Sequence, residues 1–449
     1  MDPVCALDYR YGRKEMKDLM SYRARVERCL EVEAALARAH AGIGNIPEEA
    51  AKEISRKASL EHVDLERVEE IESSIRHDVM AIVNALTEQC NGEAGRYVHL
   101  GATSYDIVDT ALAMQMRDAL KIIDDDLGRL ETVLISRSKE HRDLVMLGRT
   151  HGQYAVPITL GLKMVVWLAE FHRHRTRLKE MLPRLLVGKM SGAVGTGAAL
   201  GENAFRIEKM VMDELGLGRE EAATQIVQRD RMIEMLSHLS NISVSVEKVA
   251  TEIRTLQRPE IAELSEPFDQ KNQVGSSTMS HKRNPIICEN VTGLARTLRG
   301  FLNPAFESAV QWNERDLSNS SSERLILPHV MVLMDEILYK ITKVLDGLQV
   351  NKKSISDNLR NAGDVIMAES VIMTLVKRGM GRQDAHEVTR KAAMRSYSGT
   401  PYKTALLQEK KVSELLSSEE LEKALDPARY TGVAGERVDK VIEMVKDSP

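Results

Sequence analysis

The chain has 449 residues, and its 62 lysines and arginines against 67 aspartates and glutamates give a formal net charge of −5. With 43% hydrophobic and 29% charged residues it has the composition of a globular protein, which excludes disorder as the dominant state. The slight acidic excess argues against a nucleic-acid partner. No uncharged stretch approaches the ~18–20 apolar residues that a membrane span needs, so we expect no membrane partner.

The N-terminus and the cysteines bear on location. Met1, Asp2 and Pro3 are not followed by the basic and apolar regions of a signal peptide. The four cysteines lie far apart in the sequence, which favours neither a disulfide framework nor a zinc site. We therefore expect a cytoplasmic protein whose thiols are reduced.

Helical periodicity dominates the chain. Between 231 and 256, apolar side chains recur every three or four residues, with charged side chains mostly between them. Similar patterns predict further long helices, over 111–138, 158–178, 286–302 and 325–350. Alternation typical of strands is weak, so we predict an all-α fold whose centre is a bundle of long helices. Helix length divides the chain into three regions, an N-terminal 1–108, a central 109–352 and a C-terminal 353–449.

Polar segments interrupt this pattern, and on a rigid helical scaffold such segments usually carry chemistry. The first contains Arg76, His77 and Asp78, for which a partly buried histidine paired with a carboxylate is the plainer interpretation. The second places Thr103 and Ser104 in a predicted turn.

The third interruption, 148–153, is a predicted loop between two long helices. It holds His151 between a threonine and a glycine. An imidazole in such a loop suits a general acid or base, with an ordinary loop histidine as the alternative.

Two further signals are weak. The glycine-rich stretch 191–201 follows no convincing strand, so close backbone packing is a better interpretation than a phosphate-binding loop. His172 and His174 are two residues apart on a predicted helix and point to different faces. We therefore predict no metal site.

The longest polar interruption ends with Asn284 and Pro285 ahead of an apolar-periodic segment. This order predicts a helix with the asparagine as N-cap and the proline as its first residue. Ser276 and Ser277 lie close to Lys282 and to that helix N-terminus, where a hydroxyl is placed to bind an anion or to become one. For Asn284, capping alone is the plainer interpretation.

The last interruption, 313–324, contains a run of serines bracketed by Arg315 and Arg324. Hydroxyl donors and forked guanidinium groups suit phosphate binding. A capping turn with surface ion pairs is the alternative.

Together these segments resemble a known superfamily. GSSTMSHKRNP at 275–285 resembles the signature loop of the fumarase/aspartase superfamily, and GRTHGQYAVP at 148–157 resembles its histidine loop. Motifs along the whole chain resemble the adenylosuccinate lyase family within it: YRYG at Tyr9, RHDV at Arg76, LGATSYDIVDTA at Leu100, VGKMSGAVGTGA at Val187, ATQIVQRDR at Ala223, ERDLSNSSSER at Glu314 and DPARYTG at Asp426. Two positions depart from the pattern, since Ser280 stands where most of the superfamily has proline and Gln153 where many family members have histidine.

The resemblance implies a three-domain fumarase/aspartase-like fold that assembles as a homotetramer, with each active site formed by segments of three subunits. It implies β-elimination of fumarate from adenylosuccinate, giving AMP. The same reaction would release fumarate from the succinylated aminoimidazole carboxamide ribotide (SAICAR), giving AICAR. It implies no cofactor, because the elimination has no redox step and needs no group carrier.

Cleaving a C–N bond in this way requires one group that removes a Cβ proton and another that protonates the leaving nitrogen. His151 suits the acid. The family's base matches Ser276, although the residues themselves leave Ser277 open. Because a serine is a poor base at its free pKa, loop amides, the N-terminus of the following helix and Lys282 are expected to stabilise its alkoxide.

The same resemblance implies which residues bind the substrate. Contacts on the phosphate side are expected from Arg10, Tyr11, Ser320 and Arg324. Contacts to the succinyl part are expected from Thr103, Ser104, Gln225, Lys282 and Asn284. The resemblance implies further cations at Arg76 and Arg315. It also places His77 and Asp78 beside the substrate, where His77 would support the acid His151.

Two alternatives remain at this stage. Another enzyme of the superfamily, such as argininosuccinate lyase or fumarase, shares the serine loop but should lack the paired Arg10 and Tyr11 and the ERDLSNSSSER segment. A catalytically silent helical scaffold, of the kind that lens crystallins exemplify, would have no reason to keep both His151 and Ser276.

Overall fold

The computed structural model describes residues 4–269, 271–273, 275, 278–279 and 281–447. Helices form most of this length, which confirms the all-α class. In chain order they are α1 (Ala6–Tyr9), α2 (Lys14–Leu19), α3 (Tyr22–Gly42), α4 (Glu48–Lys57), α5 (Leu65–Ile75), α6 (Asp78–Gln89), α7 (Ser104–Glu140), α8 (Leu160–Leu185), α9 (Ala204–Leu215), α10 (Asp230–Leu256), α11 (Ile286–Gly300), α12 (Leu302–Ala309), α13 (Ser318–Asp346), α14 (Lys352–Asn361), α15 (Ala368–Lys377), α16 (Arg382–Tyr397), α17 (Tyr402–Leu407), α18 (Lys410–Ser413), α19 (Ser418–Ala424) and α20 (Ala434–Asp447).

Short strands form two-stranded pairs. They are β1 (Val145–Thr150) antiparallel to β2 (Gln153–Thr159), β3 (Val187–Gly188) parallel to β4 (Gly218–Arg219), and β5 (Leu264–Ser265) antiparallel to β6 (Gln349–Val350). Two-residue strands are too short to show alternation, so the sequence could not predict the second and third pairs.

The long helices begin and end within seven residues of their predicted bounds. The apolar stripe of α10 is buried, with Leu236, Leu239, Ile242 and Val246 at most 1% exposed. α7 extends the predicted helix 111–138 at both ends. Because one stripe packs inward and the rest meets solvent, three- and four-residue spacing was sufficient to find these helices.

One compact unit comprises Met1–Gly128, His174–Val246 and Gly293–Tyr339. In its N-terminal part, the alanine-rich face of α3 packs against α4 and α9. Small side chains allow this approach, as at Gly42, where an added Cβ would lie 2.6 Å from the Cε of Met210.

The second unit comprises Arg129–Arg173, Glu247–Thr292 and Lys340–Pro449. Helices α15 to α19 enclose an apolar core that includes Met367, Leu375, Tyr402, Leu406 and Leu421. The β1–β2 hairpin of this unit contacts α14 and α20. The division of the chain into three regions remains a prediction.

Within the described residues, the structure contains no helix of the length and apolar character that a bilayer crossing requires.

Candidate active site

His151 lies at the tip of the β1–β2 hairpin, where the sequence predicted a plain loop. Thr150 pairs with Gln153, so His151 and Gly152 form a two-residue turn. Their φ angles are 54° and 72°, and a type I′ hairpin turn requires positive φ at both positions. The predicted loop 148–153 is therefore the end of one strand, a tight turn and the start of another strand, and the turn presents the exposed imidazole of His151.

A bulge divides this hairpin below the turn. The register shifts between Leu147 and Arg149, so that residues 155 and 156 face Gly148 alone. A Cβ on Gly148 would lie 2.3 Å from the carbonyl oxygen of Val156, which makes glycine necessary there. The turn and its two closing residue pairs thus form a separate short end of the hairpin.

Arg149, in this short end, forms an ion pair with Glu263. Its Nη1 and Nη2 donate to the two carboxylate oxygens at 2.9 and 2.7 Å. Glu263 is fully buried and also accepts a hydrogen bond from the Nδ2 of Asn358 at 2.9 Å. This forked pair anchors the strand that leads directly into His151.

The predicted base, Ser276, and the alternative Ser277 lie outside the described residues. Described residues on either side of them lie close together. An added Cβ on Gly275 would lie 2.1 Å from the carbonyl oxygen of Lys282, so this close approach requires glycine. The Nδ2 of Asn284 donates to the carbonyl oxygen of Gly275 at 3.3 Å, which ties residue 275 to the exit of the loop. The side chain of Lys282 is exposed.

The helix that follows this loop is capped by a distant carboxylate. α11 begins at Ile286, and the amides of Ile287 and Cys288 donate to Glu266 at 3.0 to 3.1 Å. The N-cap prediction for Asn284 was therefore wrong, and the helix starts one residue later than expected. These two amides are therefore already hydrogen-bonded, and the expectation that the helix N-terminus stabilises a serine alkoxide remains a prediction.

The environment of Glu266 affects its ionisation. The side chain is 3% exposed, and burial raises the pKa of this carboxyl, although the hydrogen bonds from Cys288 and Ile287 oppose the shift. The carboxylate is needed in this apolar setting because it satisfies two backbone donors that have no helical partner.

Arg76, His77 and Asp78 connect α5 to α6. Arg76 ends α5 in the left-handed conformation, with φ at 57°. His77 is the N-cap of α6, and its Nδ1 accepts a hydrogen bond from the amide of Met80 at 3.3 Å. The Nε2 of His77 lies 3.5 Å from the Oγ of Ser104, which brings two predicted site segments together.

Asp78 is the partner of two arginines. Its Oδ2 accepts hydrogen bonds from Arg324 and, at 3.3 Å, from the Nη2 of Arg25. The plainer interpretation of RHDV, a histidine paired with its neighbouring carboxylate, fits less well, because the nearest approach of His77 to Asp78 is 3.9 Å. The carboxylate serves to fix the two cations instead.

A cavity of about 260 Å³ adjoins these arginines. Arg25, Arg324 and Ser320 contribute to its lining, as do Tyr105 and Gln115. The hydroxyl of Tyr105 donates to the Oγ of Ser320 at 3.2 Å. Two of the predicted phosphate-side residues therefore line one space within the first unit.

Gln225 and Arg315 form a second contact group. The Nη1 of Arg315 donates to the Oε1 of Gln225 at 2.8 Å, and the amide of Gln225 donates to the carbonyl oxygen of Glu314 at 3.3 Å. The Nε2 of Gln225 donates to the carbonyl oxygen of Ala193 at 3.1 Å. Both polar atoms of the Gln225 carboxamide are thus hydrogen-bonded.

The glycine-rich stretch supports this group by close packing, as the sequence indicated. An added Cβ on Gly195 would lie 2.0 Å from the carbonyl oxygen of Ala223. The buried carboxylate of Asp106 accepts hydrogen bonds from the amides of Thr103 at 2.8 Å and Gly192 at 3.0 Å, and it pairs with the buried Lys189. One carboxylate therefore joins the Thr103–Ser104 turn to the glycine-rich stretch.

Arg10 and Tyr11 follow α1. The amides of both residues donate to the carbonyl oxygen of Ala6, at 2.9 and 3.1 Å. Gly12 has a φ of 91°, and a Cβ there would lie 2.3 Å from the Cγ1 of Val332. The segment that presents the exposed Arg10 is therefore pressed against α13.

The predicted residues divide between the two units. His151, Lys282 and Asn284 belong to the second unit, and the other described site residues belong to the first. In the part of the chain that the structure describes, no three side chains of the metal-ligating types lie close enough together to hold an ion.

Sequence reasoning missed the residues that hold the predicted ones in place, namely Arg25, Tyr105, Asp106, Glu263 and Glu266. Tyr105 and Asp106 lie inside the motif that was already singled out, and a buried carboxylate three residues after Thr103 is a common turn cap. For Glu263 and Glu266 the sequence showed only two acidic residues near apolar ones, and it gave no indication of which residues they contact.

Family models match most of the chain. A model described as "Lyase" matches residues 9–300, and one described as "Adenylosuccinate lyase C-terminus" matches residues 364–441. The chain is also similar to the curated adenylosuccinate lyase of Pyrococcus horikoshii, with 50% identity over 445 residues that cover 99% of this chain and 98% of that one.

Solved structures share the fold. A fumarate lyase from Mesorhizobium sp. BNC1 has a TM-score of 0.90 at 33% identity, covering 98% of this chain and 100% of its own. The 3-carboxy-cis,cis-muconate lactonizing enzyme of Pseudomonas putida has a TM-score of 0.89 at 34% identity, covering 98% of each chain. Since differently named enzymes share this fold, fold alone does not select the reaction. The full-length sequence match and the C-terminal model do select among them: the chain belongs to the adenylosuccinate lyase family of the fumarase/aspartase superfamily.

Proposed function

We propose that this protein is a C–N lyase that eliminates fumarate from adenylosuccinate, giving AMP, and from SAICAR, giving AICAR. The observation that carries the proposal is the 50% identity over 99% of the chain to a curated adenylosuccinate lyase. The grouping of Ser320 and Arg324 around one cavity supports it, because these donors suit the phosphate that both substrates carry.

The reaction needs two proton transfers. Ser276 removes a proton from the carbon beside the one that bears nitrogen, and that electron pair forms the C=C bond of fumarate while the C–N bond breaks. His151 delivers a proton to the leaving nitrogen. The hairpin turn supports this role, because it presents the imidazole at an exposed tip on a rigid backbone.

The negative charges of the substrate require matching donors. Arg10, Tyr11, Ser320 and Arg324 bind on the phosphate side in this proposal. Thr103, Ser104, Gln225, Lys282 and Asn284 bind the succinyl part, whose adjacent carboxylate takes up charge as the Cβ proton leaves. The remaining residues that we place beside the substrate are Arg76, His77, Asp78 and Arg315. The contacts of Asp78 with Arg324 and of Gln225 with Arg315 support this arrangement, because they fix the cations before substrate arrives.

We also propose that the enzyme is a cytoplasmic homotetramer whose active sites combine segments of several subunits. The support for shared sites is the family resemblance. Mixing two inactive variants tests it. Ser276→Ala and His151→Ala enzymes should each be folded and inactive, and subunit exchange between them should restore part of the activity. Native mass spectrometry can verify that subunits have exchanged. If activity does not recover once exchange is verified, shared active sites are contradicted.

The direct test of function is fumarate release from purified protein. Adenylosuccinate and SAICAR should both be cleaved without added nucleotide, and argininosuccinate and malate should give no comparable turnover. Cleavage of argininosuccinate alone would assign the chain to the alternative enzyme, and no turnover with any of the four would support a silent scaffold. A Ser277→Ala variant that keeps activity while Ser276→Ala loses it would identify the base.

A further inference from the structure

A short segment around β5 contacts both the hairpin that carries the proposed acid and the helix that follows the signature loop. Glu263 immediately precedes β5 and Glu266 immediately follows it. Glu263 pairs with Arg149 of the hairpin, and Glu266 caps α11 at the exit of the signature loop. Both carboxylates are at most 3% exposed.

The Arg149–Glu263 pair acts on the short end of the hairpin. Below the bulge, three residue pairs from Val145 to Leu147 hold the strands together, whereas only two pairs close the turn above it. A bulge disrupts the ladder locally and lets the strands bend. The orientation of the turn therefore depends on an anchor above the bulge, and Arg149 is the residue there that reaches a buried carboxylate.

Glu263 is itself fixed on several sides. The Nδ2 of Asn358 donates to its Oε1 at 2.9 Å and to the carbonyl oxygen of Ile261 at 2.7 Å. The amide of Asn351 donates to the carbonyl oxygen of Glu263 at 2.9 Å, next to the β5–β6 pair. Arg149 therefore meets an acceptor that can move little, and a forked ion pair transmits orientation as well as attraction.

We propose that Glu263 is a positioning residue for the elimination, because its ion pair with Arg149 orients the hairpin turn that presents His151. The inference rests on the proposed function, since it takes His151 as the proton donor. Glu263 does not touch the substrate in this role. It acts through Arg149, and its loss should impair the chemical step rather than substrate binding.

The test compares steady-state kinetics of Glu263→Gln with those of the unmodified enzyme on adenylosuccinate. We expect kcat to fall about a hundredfold, the loss that a misplacement on the order of 1 Å can cause, with KM changed less than about threefold. Arg149→Lys keeps the positive charge but loses the fork, and we expect the same pattern. The double variant should be no slower than the slower single variant, because both changes remove one interaction.

Asp439→Asn provides the matched control. It removes the partly exposed ion pair between Arg142 and Asp439. Arg142 precedes β1 and lies on the other side of the bulge from the turn. This variant should keep the kcat of the unmodified enzyme. Circular dichroism and thermal melting verify the fold of each variant, and if Glu263→Gln does not fold, Arg149→Lys tests the pair from the hairpin side.

The outcomes separate the inference from the proposed function. An unmodified enzyme that does not cleave adenylosuccinate refutes the function. An active unmodified enzyme with folded Glu263→Gln and Arg149→Lys variants of undiminished kcat refutes the positioning role alone. A rise in KM at constant kcat would also overturn it, because the pair would then act on binding.

Discussion

The guanidinium of Arg315 lies over the ring of Tyr105, 3.6 Å from its centroid. Its Nη1 also donates to Gln225, so stacking and a hydrogen bond together fix the plane of the group. The hydroxyl of the same tyrosine donates to Ser320. Tyr105 thus links a proposed phosphate-side residue to the contact group of Gln225, although it was assigned no role from the sequence.

We expect Arg315→Lys to raise KM for adenylosuccinate about tenfold with little loss of stability. A lysine keeps the charge but has no planar group that can stack on Tyr105 while it donates to Gln225. Steady-state kinetics measure the change. Tyr105→Phe is the comparison variant, since it keeps the ring and removes only the hydroxyl bonded to Ser320, and its KM should rise less. An unchanged KM in Arg315→Lys would contradict a role for Arg315 in binding.

The turn geometry indicates which substitution tests His151. Asparagine tolerates positive φ well, so His151→Asn should preserve the hairpin and the thermal stability while removing the proton donor. We expect kcat to fall by at least about a hundredfold, the lower range for a general acid. A variant that is fully active would exclude His151 as the acid.

Gly152→Ala separates turn strain from chemistry. At a φ of 72°, a side chain destabilises the native turn by about 1 kcal/mol, and nothing within 4 Å of the added Cβ would clash. Urea unfolding should therefore show a small loss of stability. If His151→Asn proved less stable than Gly152→Ala, its loss of activity would reflect misfolding of the turn.

The sequence was sufficient to predict the helices but not the hairpin. Long amphipathic helices carry a periodic signal over many turns, so their predicted bounds lie within seven residues of the observed ones. In β1 the run from Val145 to Thr150 gives no clear alternation, because it begins with three consecutive apolar residues and Gly148 contributes no side chain. In β2 the extra residue of the bulge shifts the register. The turn sequence His151-Gly152 is also rarer than the Asn-Gly that marks a type I′ turn.

Contacts in the candidate site were predictable where one sequence motif contains both interacting residues. They were unpredictable where the two residues are far apart in the sequence. Thr103 and Asp106 are neighbours in the sequence, so their contact could have been expected. The cap of α11 could not be expected, because Glu266 lies 21 residues before Ile287. The nearby Asn284 offered a local candidate for the cap instead. Local capping rules name the nearest polar side chain, whereas tertiary structure can supply another.

Glu266→Ala should destabilise the protein by about 1–3 kcal/mol, because one buried and one partly buried backbone donor lose their acceptor. Glu266→Gln keeps one acceptor oxygen, so its free energy of unfolding should lie between those of the unmodified protein and Glu266→Ala. Chemical denaturation measures both. Glu420→Ala is a control, since it removes a capping carboxylate at the exposed start of α19, where water replaces it, and its effect should be smaller. Equal effects at the two sites would contradict the importance of burial.

His99 gives a pH-dependent prediction. Its Nδ1 lies 2.6 Å from the Oε1 of Glu33, a carboxylate that is 2% exposed, and its amide donates to the same carboxylate at 3.0 Å. Burial alone would lower the pKa of His99, but the hydrogen bond and charge of Glu33, with the charge of Asp106, outweigh it and raise the pKa above its ordinary value of 6.5. This pair anchors the start of the segment that carries Thr103 and Ser104.

A raised pKa means that the folded state binds the proton more tightly than the unfolded state. The resulting stabilisation is fully present below about pH 6.5 and is lost as the pH rises through the folded-state pKa of His99. We therefore expect the stability difference between the unmodified protein and His99→Gln, which can still donate to Glu33, to be larger at about pH 6 than at about pH 9. Urea unfolding at both values measures it, and because other titrating groups are common to both proteins, their effects cancel in the difference. A difference that is constant or grows with pH would show that the imidazolium does not stabilise this segment.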